Sequence, residues 1–99
     1  LRVLGDLDKA ISLDHSNAYL YYNRANIYAL QKNYSKAIAD YDKAIDLDPR
    51  LAEAYYNRGL AYIYSKKTEQ GIKDLSKAGE LGLVDAYSAI KKYRPKKGK

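Results

Sequence analysis

The tetrapeptide Tyr21-Tyr22-Asn23-Arg24 returns as Tyr55-Tyr56-Asn57-Arg58 thirty-four residues later, and the residues around the two copies keep the same register. A period of that length, with aromatic and small residues at fixed offsets, is what a repeated helix-turn-helix unit produces. One helix pair cannot bury its apolar face alone, so such a chain must fold as a stack. The expected fold class is therefore all-α.

The segment from Leu1 to Leu13 carries Val3, Leu4, Leu7, Ala10 and Ile11 at one-faced helical spacing, interrupted only by Gly5. It reads as the second half of a helix pair whose first helix is absent. Its apolar face is thus expected either to belong to a longer parent protein or to be covered by self-association. Asn17 or Ser16 can cap a helix from Ala18 to Gln31, and Asn33 one from Tyr34 to about Leu47, which Asp48-Pro49 ends. Leu51 to Ser65 and Thr68 to Glu80 repeat this pair, with Lys66-Lys67 as the turn and Thr68 as a candidate cap. Gly71 and Gly79 stand where Ala37 and Ile45 stand one period earlier. Each costs about 0.5–1 kcal/mol relative to alanine in a helix, so the second pair is expected to fray first. Asp85 can cap a last helix, Ala86 to about Tyr93. These boundaries give one domain over residues 1-93: a half repeat (1-17), two repeats (18-51 and 52-83) and a capping helix (84-93). A basic, disordered tail at 94-99 follows.

Ninety-nine residues leave little room for both a core and a large substrate cavity. The chain has no cysteine, which excludes disulfides, thiolate metal sites and a cysteine nucleophile. No stretch approaches the roughly 20 apolar residues of a membrane span. Net charge is +6, but Lys91, Lys92, Arg94, Lys96, Lys97 and Lys99 hold six of the eighteen cations, leaving twelve against twelve acids before them. A neutral body with a basic tail does not make nucleic acid the expected partner; tail contact with nucleic acid or an anionic surface is kept as an alternative. All twelve aromatic residues are tyrosine, whose ring and hydroxyl suit half-buried faces and grooves better than a dry core.

These residues resemble the tetratricopeptide repeat. In the first complete copy Tyr21, Ala25, Tyr28, Ala37, Tyr41 and Pro49 meet its pattern, with Ala44 at its other small position. The second copy keeps Tyr55, Gly59, Tyr62 and Ala78 but departs at Gly71, Leu75 and Leu83. The resemblance implies stacked antiparallel helix pairs forming a right-handed superhelix. It also implies a concave groove in which asparagines at the places of Asn23 and Asn57 bond the backbone of a partner's peptide. Independently, small residues at 25, 37, 44, 59 and 78 allow close helix approach, while Tyr28, Tyr41, Tyr62 and Leu75 fill the layers.

Residues three and four apart share a helix face, which groups Tyr19, Tyr22, Asn23, Asn26 and Leu30 on one helix and Glu53, Tyr56, Asn57, Leu60 and Tyr64 on the other. These ten are the candidate peptide-binding residues. An amide offers donor and acceptor together, so Asn23 and Asn57 are expected to read a peptide group bidentately; solvated surface residues carried along with the repeat are the plainer explanation of the pair. One branch of the family clamps the C-terminal carboxylate of chaperone tails. Asn23 and Asn26 meet two of its asparagine places, but Tyr22 replaces a lysine, and Glu53 and Asn57 stand at the last lysine and arginine. That clamp is not expected.

Arg24 and Arg58 each precede an aspartate by sixteen residues, Asp40 and Asp74, which suggests an ion pair within each repeat worth under about 1 kcal/mol if partly exposed. Asp6 is the matching acid of the half repeat, without its arginine. His15 lies in a turn and reads as solvated. Asp40, Asp42, Asp46 and Asp48 lack the glycine and terminal glutamate of a calcium loop and read as a charged solvent face. No catalytic residue, metal site or cofactor is expected. The function expected is binding of a protein or peptide partner, with a structural or self-associating spacer, joined through the N-terminal helix, as the alternative.

Overall fold

A computed structural model describes residues 2–95, which form six helices and, among the described residues, no strand. They are α1 (Arg2–Leu13), α2 (Ala18–Leu30), α3 (Tyr34–Leu47), α4 (Ala52–Tyr64), α5 (Thr68–Glu80) and α6 (Asp85–Tyr93). Consecutive helices pack on one another, and α4 also reaches α2 across the layer between them. The stack is long and thin, 53 × 25 × 17 Å. Of the tail at 94-99, Arg94 and Pro95 are exposed chain beyond α6, and 96-99 lie outside the described residues.

Local chemistry explains the helix ends. Asn17 accepts the Tyr19 amide at 3.0 Å, and Asn33 accepts that of Lys36 at 3.4 Å. Neither Thr68 nor Asp85 caps as expected: each is already the first helical residue, behind Lys67 and Val84, and neither of these starts has a side-chain cap bond. The turns closing α2, α4 and α5 share one solution. After α2 the amides of Lys32 and Asn33 return to the carbonyls of Ala29 and Tyr28 at 2.9 and 2.8 Å, which satisfies the last free acceptors. That geometry puts Lys32 (φ 62) and Lys66 (φ 70) in left-handed backbone, and gives the same place after α5 to Gly82 (φ 110).

The core runs along the seams between helices. Ala25, Ala37, Tyr41 and Ala44 are buried between α2 and α3, and Leu75, Ala89 and Ile90 form a second cluster where α5 meets α6. Between α4 and α5 the helices meet at Gly59 and Gly71. A Cβ on Gly71 would lie 2.5 Å from both the Gly59 carbonyl oxygen and Ile63 Cγ1. At Gly79 a Cβ would fall 2.6 Å from the ring of Tyr87 on α6. The expectation that these glycines weaken the second pair therefore covers only their helix propensity. Their lack of a side chain is what lets α4, α5 and α6 touch.

The arginines tie the layers together. Arg24 Nε and Nη2 donate to the two oxygens of Asp40 at 2.7 and 2.9 Å, while Nη1 donates to Asp8 on α1 at 2.9 Å. One period later Arg58 holds Asp74 at 2.7 and 2.9 Å and Asp42 on α3 at 2.7 Å. Each guanidinium thus joins its own helix pair to the preceding layer. Two readings of the acids are corrected here. Asp40 is 8% exposed and belongs to this network rather than to a solvent face, and both Asp40 and Asp74 are buried more deeply than a weak surface pair would be. The tyrosines opening the repeated tetrapeptide hold the preceding turns: Tyr21 Oη donates to the His15 carbonyl and Tyr55 Oη to that of Pro49, both at 3.1 Å.

Candidate functional site

Helices α2, α4 and α6 line one side of the stack, and the hollows on that side contain most of the ten residues singled out from sequence. A central cleft of about 330 Å³ opens among α2, α3 and α4, and its walls include Asn26, Leu30, Asn57, Leu60 and Tyr64. Tyr34 and Tyr41 of α3 complete it, together with Ala29 and Ala61. A second hollow, of about 450 Å³, lies between α4 and α6, where Tyr56, Leu60 and Tyr64 face Asp85, Ser88, Lys92 and Tyr93. Asn23 is apart from both: it stands exposed in a third cleft, beside Val3, Asp6, Leu7 and Ala10 of α1. Tyr19 and Glu53 are exposed and line none of these hollows; the Tyr19 ring meets Tyr22 edge-on at 6.1 Å.

The polar wall of the central cleft is wired internally. Asn57 Nδ2 donates to Asn26 Oδ1 at 3.0 Å and to Tyr22 Oη at 3.2 Å, and Tyr41 Oη also donates to Asn26 Oδ1. Two helices and two repeats are thereby linked by one amide. The Asn57 amide nitrogen is thus engaged within the protein, so a two-point reading of a peptide group by Asn57 would have to share that donor. Asn23 and Asn57, equivalent by register, have unlike surroundings.

The opposite wall is aromatic and apolar. Tyr34 and Tyr64 approach with ring centroids 5.9 Å apart, and Tyr64 meets Tyr93 edge-on at 6.1 Å with the two hydroxyls 3.2 Å apart. The bond to Tyr93, with burial adding to it, pushes the Tyr64 hydroxyl up to about 12, while the same bond draws Tyr93 below the usual tyrosine value. Tyr41 is raised too, first by burial and then by its neighbour Tyr22. Tyr41 and Tyr64, both raised, stay neutral near pH 7, and no charged side chain lines the central cleft among the described residues. What the cleft can do chemically is receive an apolar side chain and offer a carbonyl acceptor beside it.

Sequence reasoning assigned Tyr41 to packing alone and overlooked Tyr34. The signal for Tyr41 is its hydroxyl, which needs a polar partner at a place where the second repeat uses Leu75. His15 is exposed in its turn, and no three His, Cys, Asp or Glu side chains cluster for a metal among the described residues.

Family profiles add to this geometry. One described as TPR repeat matches residues 25–64, and two described as tetratricopeptide repeat match 7–39 and 52–81. The chain belongs to the tetratricopeptide repeat family. No curated protein matched it by sequence. Solved structures resemble this tetratricopeptide repeat chain closely. The first TPR of Spaghetti (RPAP3), bound to the HSP90 peptide SRMEEVD, is 28% identical with a TM-score of 0.86, over 91% of this chain and 73% of that one. The second TPR domain of human RPAP3, in complex with the HSP70 peptide SGPTIEEVD, is 29% identical with a TM-score of 0.88, over 96% and 81%. YrrB, a TPR protein with an unusual peptide-binding site, is 29% identical with a TM-score of 0.82; the match covers 88% of this chain and 46% of YrrB. The fold is the all-α tetratricopeptide solenoid, and its solved neighbours include domains that hold peptides of other proteins.

Proposed function

We propose that this chain is a protein-interaction module that holds an extended peptide segment of a partner along the face of α2, α4 and α6, with an apolar side chain of the ligand in the central cleft. The carrying observation is the cleft itself: it is built from both repeats, bounded by Leu30, Tyr34, Leu60 and Tyr64 on one side and by the Asn26-Asn57 amides on the other. The Asn57 carbonyl supplies one backbone contact, and the rings supply selectivity through shape.

The ligand differs in chemistry from the acidic peptides held by the two RPAP3 domains. Tyr22, at the place of the clamp's first lysine, accepts from Asn57 rather than presenting a cation. The cleft itself is uncharged among the described residues. A single short groove, with the ordering of a flexible ligand set against it, corresponds to a dissociation constant on the order of micromolar.

Panning a random peptide library on the chain, and then titrating the selected peptides by fluorescence anisotropy, tests the proposal. Leu60→Glu and Tyr64→Ala, both at accessible positions, are expected to weaken binding about tenfold or more with helicity unchanged. Selected peptides that bind both variants as tightly as the parent chain would place the ligand elsewhere.

A further inference from the structure

Twelve tyrosines stand in a chain without cysteine, methionine or tryptophan. Thiol and thioether sulfur ordinarily take up an oxidant first, and with neither present a one-electron oxidant falls on the phenol rings. Two runs of three rings cross the stack. Tyr19, Tyr22 and Tyr41 follow one another at centroid distances of 6.1 Å, and Tyr34, Tyr64 and Tyr93 at 5.9 and 6.1 Å.

The runs differ at their hydroxyls. In the first, Tyr41 Oη donates to Asn26, Tyr22 Oη accepts from Asn57, and Tyr41 is 1% exposed. In the second, the hydroxyls of Tyr64 and Tyr93 lie 3.2 Å apart, the one phenol pair in hydrogen-bond contact among the described residues. Tyr64 is 48% exposed and Tyr93 half-buried, so an oxidant reaches this pair from solvent. The two residues close α4 and α6, and their ring torsions are soft. With the hydroxyls in contact, rotation of the rings brings together the ortho carbons that flank each phenol carbon. Lys92 Nζ stands 5.2 Å from the centre of the Tyr93 ring, where its charge eases loss of the Tyr93 proton.

We propose that Tyr64 and Tyr93 form an oxidative crosslinking site, at which a one-electron oxidant of the haem-peroxidase class joins α4 to α6 through a dityrosine bond. Each phenol gives one electron to the oxidant and its hydroxyl proton to water. The two phenoxyl radicals then couple, one ortho carbon to the other, and the hydrogens on those carbons pass to the phenol oxygens as the rings regain aromaticity. The chain loses two hydrogen atoms in all, and one hydrogen peroxide is reduced to two waters. The new bond spans the second hollow, which both rings line, and draws Tyr64 toward α6 and away from the central cleft. Weakened ligand binding after oxidation rests on the peptide-binding function proposed above; the crosslink does not.

The test treats the whole chain, at low micromolar concentration, with a haem peroxidase and limiting hydrogen peroxide. Mass spectrometry is expected to show a monomer lighter by two hydrogen atoms, and tryptic digestion to join the peptides spanning 59–66 and 93–96 through Tyr64 and Tyr93. Tyr64→Phe and Tyr93→Phe should each abolish that linkage, whereas Tyr62→Phe, in the same tryptic peptide as Tyr64, and Tyr19→Phe should keep it. Circular dichroism before oxidation checks that each variant is folded. The crosslinked monomer should also unfold at a higher urea concentration than the untreated chain, because the bond closes the loop from 64 to 93. Coupling that is mainly between chains, or that persists in Tyr93→Phe at the parent yield, would overturn the proposal. Library-selected peptides should bind the crosslinked chain several-fold more weakly than the untreated one, with no such change when Tyr93→Phe is oxidised. Equal affinity before and after crosslinking would overturn the effect on the groove, while failure of the peptide-binding function itself would already be seen in the untreated chain.

Discussion

The two complete repeats keep the same ion pairs and differ in the seam between their helices. Between α2 and α3 the seam is Ala25 and Ala37 with the ring of Tyr41; between α4 and α5 it is Gly59 and Gly71 with Leu75. Loss of two methyl groups and loss of a ring go together, as close packing requires. The seam also reaches the groove. Tyr41 extends a hydroxyl to Asn26, which in turn accepts from Asn57, and that end of the face is polar. Leu75 has nothing to extend, and Leu60 replaces Asn26 one period on, so the second repeat carries no matching hydroxyl-to-amide bond. The arginines fix the register, and the seam residues decide what kind of surface each repeat presents.

Removing the arginines is the strongest way to break this comparison. Arg24→Leu and Arg58→Leu each strand a buried carboxylate, Asp40 or Asp74, and each is expected to cost about 3 kcal/mol in urea denaturation. Asp8→Ala and Asp42→Ala remove only the exposed second contacts and should cost under about 1 kcal/mol. Clearly unequal costs for the two arginines would mean that the repeats are not held by the same device.

The glycine seam is tested by two substitutions whose helix propensity terms are alike. Gly71→Ala drives a methyl group into the Gly59 carbonyl and Ile63, and the overpacking is expected to outweigh the propensity gain, with a net loss of about 2 kcal/mol. Gly5→Ala meets nothing within 4 Å and should stabilise by about 0.5–1 kcal/mol. Thermal denaturation of both variants gives the answer. If Gly71→Ala stabilises as Gly5→Ala does, the close contact is not a constraint, and the second seam is merely a weakened copy of the first.

Much of this was legible in the sequence because a repeat turns tertiary neighbours into fixed offsets. The period located the helices, and Asn17 and Asn33 marked two starts. The sixteen-residue step from Arg24 to Asp40 and from Arg58 to Asp74 marked the ion pairs. The same step taken backwards leads from Arg24 to Asp8 and from Arg58 to Asp42, and it went unused, since helix pairing draws attention only to the partner within the repeat. Thr68 and Asp85 have capping chemistry, but the helices begin at those residues instead of after them. The glycine contacts depend on how near a neighbouring helix comes, which no local propensity records. The bonding of Asn57 depends on Tyr22 and Asn26 in a different repeat, so its counterpart Asn23 gave no warning of it.

A smaller effect than loss of an arginine or crowding at Gly71 separates the seams by their titration. Tyr41 is 1% exposed, and burial raises its phenol above the ordinary value of 10.0, whereas Leu75 in the second seam has nothing to titrate. Tyr41→Phe keeps the ring and removes one hydrogen bond, and Asn26 Oδ1 still accepts from Asn57, so the loss near pH 7 should be only about 1 kcal/mol. The sign of the pH effect follows from which state holds the proton more tightly. With its pKa raised on folding, the phenol contributes fully below about pH 10, where the unfolded tyrosine is also protonated, and its contribution is lost as pH rises from there through the folded value. Tyr64, pushed up to about 12, acts in the same direction, and Tyr93, drawn down, opposes it in both proteins alike. Urea titrations at pH 9, 10 and 11 should therefore show the parent chain losing stability more steeply than Tyr41→Phe above pH 10, by roughly 1 kcal/mol per pH unit. Parallel slopes would mean that the Tyr41 phenol ionises as freely in the folded chain as in the unfolded one, and the link from the first seam to the polar end of the groove would fail with it.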